Sequence, residues 1–230
     1  MPQTSLSSVK AIVFDFDGTL TDFVAADLAA LAHLHRAAKL EGECEQFVDA
    51  AVDAIMAFHE RVERGEADPL TMHAERLRDA AGRCGCAWDE AHVQLYQQAL
   101  LAACVPLPGA VALLEHLRPR FKLALLTNAY DNVEQRARLR ASGLERFFDA
   151  IVVSGEVGVF KPDPRIFLHT LEQIGVGAAE AVYIGDSVKH DVDGAVAAGM
   201  RAVLVRRGVP HPRAWGNAQD LEHLLEQWLA

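Results

Sequence analysis

The stretch Ala11-Ile12-Val13-Phe14-Asp15-Phe16-Asp17-Gly18 constrains this chain more than any other. Its first four residues are apolar and partly β-branched, the pattern of a short strand buried on both faces. They run into two aspartates one residue apart, then a glycine. Ionised carboxylates are costly to bury side by side without partners. Residues i and i+2 of a strand point the same way. At a strand end that turns at Gly18, both carboxylates can therefore face one small volume. Like charges about 4 Å apart repel by about 4 kcal/mol at an effective dielectric of about 20, so a cation belongs between them. One aspartate of such a pair can attack phosphorus while the other serves as general acid and base. Taken alone, the pair reads equally well as an Asp-Gly turn after a strand.

Four further short apolar runs read as buried strands, at 123–126, 150–153, 181–184 and 202–205. Helical patterns follow three of them, at 132–141, 164–174 and 192–198. That alternation predicts an α/β fold, a doubly wound parallel sheet of Rossmann-like type with helices on both faces. Such sheets bind ligands at the carboxyl ends of their strands. Between the first and second strands the pattern is helical throughout, at 24–40, 46–63, 71–82 and 89–102. This is too long for a βα crossover. It predicts a helical subdomain over 23–104, inserted into a core made of 8–22 and 105–230, with Pro106-Leu107-Pro108-Gly109 as the returning hinge.

The 230 residues suffice for a core that buries roughly 70–75% of the unfolded surface. A formal charge of −10 argues against nucleic acid as a main partner. It does not exclude a small anionic ligand, because a bound divalent cation reverses the local field. Cys44, Cys84, Cys86 and Cys104 lack the spacing of a zinc site. They read as reduced thiols of a cytoplasmic protein. No apolar run reaches the ~18 residues of a membrane span. The ten histidines do not pair usefully: His33 and His35 point apart on a helix, and His190 is a poorer match than oxygen for a hard cation.

Three more strand ends carry polar groups. Leu125-Leu126-Thr127-Asn128 ends in a hydroxyl that can donate to a phosphoryl oxygen, helped by the Asn128 N–H; the plain alternative is a helix cap. In Phe160-Lys161-Pro162-Asp163-Pro164, two prolines fix a turn before a helix, and Lys161 there can offset negative charge; an isolated lysine is ordinarily solvated. Tyr183-Ile184-Gly185-Asp186 ends in an acid, with Asp191 five residues on. Asp15, the main-chain carbonyl of Asp17, and Asp186 can offer the oxygen ligands that Mg²⁺ prefers. Asp191 is either an outer partner of that site or the N-terminal charge of its helix.

Taken together, these four clusters resemble the four motifs of the haloacid dehalogenase-like hydrolase superfamily, over nearly the whole chain. The insert stands where that family carries its cap. The resemblance implies Asp15 as nucleophile, Asp17 as acid/base, Thr127 as phosphoryl ligand and Lys161 as stabiliser of the intermediate. It implies Gly18 and Asn128 as substrate contacts. Asp15, Asp17 and Asp186 would hold Mg²⁺, with Asp191 behind them. The namesake dehalogenases lack an acid two residues after the nucleophile, so Asp17 favours a phosphatase. An alkoxide leaving group needs a proton and a halide does not.

Around Gly65, Leu70 and Arg76-Leu77 the insert is similar to caps of the nucleotidase and N-acylneuraminate-9-phosphatase branch. Phe23, Asp27, His59, Arg61, Arg64 and Arg76 are its candidate substrate contacts, each weighed against a solvated helix face. The expected activity is Mg²⁺-dependent hydrolysis of a small phosphorylated metabolite through an aspartyl-phosphate, by a monomer or homodimer. The rival readings are a phosphosugar mutase, a 2-haloacid dehalogenase and a non-catalytic phosphometabolite-binding protein.

Overall fold

The computed structural model describes residues 6–206, 208 and 210–229. The chain divides into two compact units, Phe23–Cys104 and a second made of Met1–Asp22 with Val105–Ala230.

The unit Phe23–Cys104 is helical: α1 (Phe23–Ala37), α2 (Cys44–Glu63), α3 (Met72–Cys84) and α4 (Ala91–Ala103). Apolar residues at helical spacing make its core, with Leu31, Leu34, Phe47, Leu77, Tyr96 and Leu100 buried together. A charged group sits inside that core. Both terminal guanidinium nitrogens of Arg76 in α3 donate to the Asp27 carboxylate of α1, and the Tyr96 hydroxyl of α4 donates to Asp27 Oδ1. The guanidinium also lies 5.0 Å from the Tyr96 ring centroid. Asp27 and Arg76, expected as substrate contacts or as a solvated face, are instead buried partners of each other. Arg61 and Arg64 pair with Glu75 and Glu66, at 2.8 and 3.0 Å. Phe23 packs against the apolar core. The His59 side chain lies outside the described residues.

In the other unit, six parallel strands form one sheet: β1 (Ala11–Phe14), β2 (Lys122–Thr127), β3 (Ala150–Val153), β4 (Ala181–Gly185), β5 (Arg201–Val205) and β6 (Gly216–Ala218). Their order is β3-β2-β1-β4-β5-β6. Its helices are α5 (Ala110–Leu117), α6 (Asn132–Ala141), α7 (Ser154–Val157), α8 (Pro164–Ile174), α9 (Gly194–Ala197) and α10 (Leu221–Leu229). Helices cover both faces, as the apolar strands require. On one face Val13, Leu126, Tyr183 and Leu204 pack with Ile166, Phe167 and Leu171 of α8 and Ala195 of α9. The pleat turns Ile12 and Phe14 to the opposite face.

Helix starts follow local chemistry. The Asp131 side chain accepts from the Glu134 N–H at 2.9 Å and opens α6. Asp163 accepts from the Arg165 N–H at 2.9 Å, with Pro164 preset at the first position of α8. The sequence pattern misses β6, whose Gly-Asn-Ala has no β-branched residue and forms an edge strand. The helix read over 192–198 is present but begins earlier, as a π-helical segment at Val188–Asp193 that runs directly into the short α9.

Candidate active site

The strand order puts β1 between β2 and β4. The chain runs outward from β1 to β3, then returns to the other side of β1 as β4. That reversal makes the carboxyl ends of β1 and β4 the topological switch point, the place where open α/β sheets hold their ligands. Phe14 pairs with Ile184, and the Asp15 N–H donates to the Ile184 carbonyl at 2.9 Å. Asp15 therefore lies level with Gly185, one step short of Asp186.

Lys161 arrives from the loop between α7 and α8. The Asn128 side chain, just past β2, clamps its main chain: Oδ1 accepts from the Lys161 N–H at 2.9 Å and Nδ2 donates to the Lys161 carbonyl at 3.0 Å. So anchored, the buried ammonium spends its three protons on Asp15 Oδ1 at 2.7 Å, Asp191 Oδ1 at 2.7 Å and the Tyr183 hydroxyl at 2.9 Å. The Tyr183 hydroxyl lies 3.1 Å from the Leu126 carbonyl and 3.2 Å from Asp191 Oδ1, both acceptors for its single proton.

Asp191 is fixed at its other oxygen by the Ser187 N–H, at 2.9 Å. Only a glycine fits beside it, since a Cβ at Gly185 would stand 2.4 Å from the Asp191 carboxyl carbon. Asp191 is thus a buried partner of Lys161, and it also stands in the first turn of the helical segment Val188–Asp193, where it accepts from the N-terminal Ser187 N–H. Asp186 accepts from the Thr19 hydroxyl at 3.4 Å. Its carboxylate lies over Gly18, where φ is +83° and a Cβ would come within 2.7 Å of Oδ2. Gly18 meets both demands, a left-handed turn and a close approach.

Asp15, Asp186 and Asp191 each present one carboxylate oxygen within 4.8 Å of the others. Burial is the largest influence on Asp15, with Asp191 adding to it. Together they outweigh Lys161 and raise its carboxyl to about 8. Burial, then Asp191, likewise raises Asp186. Burial alone would lower the Lys161 ammonium, but Asp15 and Asp191 overcome it and hold the proton more tightly than in water. Three carboxylates facing one ammonium form an oxygen-rich, over-negative cluster, the donor set of a hard divalent cation.

The Asp17 carboxylate stands apart from that cluster. Both terminal nitrogens of Arg138 in α6 donate to it, and Gln135 Nε2 donates to its Oδ2 at 2.9 Å. Gln135 Nε2 also lies 2.8 Å from the Thr127 hydroxyl at the end of β2. The structure thus gathers Asp15, Lys161, Asp186 and Asp191 around one point, and joins Asp17 to Thr127 through α6. Gly18 and Asn128, expected as substrate contacts, have visible roles beneath Asp186 and behind Lys161.

Sequence reasoning passed over Tyr183, Gln135 and Arg138. Tyr183 left one usable signal, a phenol within an apolar strand that needs a hydroxyl partner. Gln135 and Arg138 left none, being polar residues on a polar helix.

A parallel sheet with acids and a buried lysine at its switch point defines the α/β class of the fold and places its polar cluster at the strand ends. More narrowly, the chain belongs to the haloacid dehalogenase-like hydrolases, whose family pattern matches residues 9–199. It is 37% identical to pyrimidine 5'-nucleotidase YjjG of Escherichia coli over 55% of this chain and 53% of that one. It is 30% identical to N-acylneuraminate-9-phosphatase of Mus musculus over 86% of this chain and 83% of that one. The HAD-hydrolase YfnB of Bacillus subtilis, solved bound to magnesium, superposes with a TM-score of 0.77 at 26% identity, over 95% of this chain and 97% of that one. The chain spans about half the length of several curated relatives that it matches.

Proposed function

We propose that this chain is a metal-dependent phosphatase that hydrolyses the phosphomonoester of a small metabolite through a phosphorylated Asp15. The observation that carries the reading is the shared ammonium of Lys161, which ties Asp15 to Asp191 beside Asp186 while Asp17 stands two residues on. With Oδ1 engaged by Lys161, Asp15 Oδ2 is the oxygen available to attack phosphorus. The P–O ester bond breaks, and Asp17, protonated on an oxygen it withdraws from Arg138, hands that proton to the leaving alkoxide. The Asp17 carboxylate next takes a proton from water, which attacks the acyl-phosphate, releases inorganic phosphate and restores Asp15. Lys161 and the Thr127 hydroxyl balance charge on the phosphoryl oxygens in both steps. Asp15 and Asp186, with the Asp17 carbonyl, would hold Mg²⁺, and Asp191 would fix Lys161 behind them. The cation, when bound, supplies positive charge that offsets the carboxylates and the phosphoryl group.

Two further points support a phosphatase. Asp17 offers the proton that an alkoxide needs and a halide does not. The relatives named for an activity include a phosphoserine phosphatase, a glyceraldehyde 3-phosphate phosphatase and N-acylneuraminate-9-phosphatase, all named for small phosphorylated compounds. The test is a panel of phosphate esters read by released phosphate, with Mg²⁺ and with EDTA. Turnover that needs Mg²⁺, stops on chelation and falls roughly 10⁴-fold or more in Asp15→Asn is the expected result. Full turnover by Asp15→Asn defeats the mechanism.

A further inference from the structure

Gln135 and Arg138 sit one turn apart on α6 and are both buried. Their side chains join into one assembly: Gln135 Oε1 accepts from Arg138 Nη1 at 3.0 Å, and that nitrogen lies 3.1 Å from Asp17 Oδ2. The second terminal nitrogen of Arg138 takes Asp17 Oδ1. The guanidinium lies 5.5 Å from the Phe16 ring centroid. Gln135 Nε2 reaches Asp17 and Thr127 at once, at 2.9 and 2.8 Å. Asp17 keeps 27% of its side chain exposed while its arginine keeps 3%. The acid is therefore accessible, while the groups that hold it are buried.

A buried arginine is costly unless both faces of its fork are used. Here they are used on one carboxylate, in the geometry that most restricts it. The Thr127 oxygen accepts from Gln135, which directs its one O–H proton elsewhere, as a donor. Misplacing a reacting group by about 1 Å can cost roughly 10²-fold in rate. We infer that Gln135 and Arg138 are positioning residues, a clamp that aims the Asp17 carboxyl at the leaving-group oxygen and the Thr127 hydroxyl at the phosphoryl group. This rests on the phosphatase reading above and adds residues that act through Asp17 and Thr127.

The clamp separates from a merely structural role by leaving-group dependence. An alkyl ester departs as a poor leaving group and needs the Asp17 proton; 4-nitrophenolate departs without it. The full chain is assayed with Mg²⁺ on glycerol 2-phosphate and 4-nitrophenyl phosphate, as parent, Arg138→Lys, Gln135→Leu, Asp17→Asn and the double variant Asp17→Asn/Arg138→Lys. Gln135→Leu strands no charge, so it serves if Arg138→Lys folds poorly.

The ratio of kcat/KM for the alkyl over the aryl ester is expected to fall by about tenfold or more in either clamp variant. It should fall further in Asp17→Asn, and no further in the double variant, because the clamp then has nothing to aim. Equal losses on both esters in both clamp variants overturn the inference and leave the phosphatase reading standing. A multiplicative loss in the double variant also overturns it. A parent that releases phosphate from neither ester overturns both.

Discussion

Replacing Lys161 by methionine keeps much of the side chain's volume and removes its charge. The ammonium lies 2.7 Å from both Asp15 and Asp191. At an effective dielectric of about 20, each contact at that distance is worth about 6 kcal/mol before desolvation. Most of this is offset by the cost of burying the charges. What remains is the penalty of leaving buried carboxylates without a partner, about 3–5 kcal/mol.

The pH dependence has a definite sign. The Asp15 carboxyl is raised from 3.8 to about 8, chiefly by burial. A raised acid favours the folded state at low pH and loses that contribution as pH climbs through its folded value. Without Lys161 the carboxyl is raised further, so the variant suffers most at high pH. Guanidinium unfolding in EDTA at pH 6 and pH 9 measures both quantities. A loss of about 3–5 kcal/mol at pH 9 that shrinks at pH 6 is expected. A loss below about 1 kcal/mol at pH 9, or the same loss at both values, refutes the reasoning.

In the unit Phe23–Cys104, Arg76→Ala leaves Asp27 buried without its guanidinium. That should cost about 3–5 kcal/mol, read as a lower denaturation midpoint; a shift under about 1 kcal/mol counts against the network. Gly18→Ala forces a Cβ at φ +83° to within 2.7 Å of Asp186 Oδ2. Titration calorimetry should show Mg²⁺ affinity lowered by about 10–100-fold, and an unchanged affinity would exclude Asp186 as a ligand.

The sequence shows the strand ends of this site better than it shows their support. Asp15 and Asp186 stand out because each breaks an apolar run, and a buried run that stops at an acid needs a reason. Lys161 stands out only by its prolines. Its aim depends on Asn128, a residue 33 positions earlier that local pattern connects to nothing. Arg138 is harder still. On paper it is one of three arginines in Asn132–Ala141, and only the packing of α6 against the strand ends distinguishes it from Arg136 and Arg140. The same reasoning explains Arg76. Sequence alone cannot distinguish a cation that meets solvent from one that meets a distant buried acid.

Where the chain leaves the sheet unit and where it returns lie side by side. Thr21 bridges Pro106, and the Leu107 N–H donates to the Leu20 carbonyl at 2.8 Å. The bounds of the helical unit are thus stitched together by backbone that belongs wholly to the other unit. A stalk of this kind makes the whole excursion between residues 22 and 105 exchangeable. A shorter loop, or an unrelated module with neighbouring termini, would join the same two anchor points without shifting the register of a single strand.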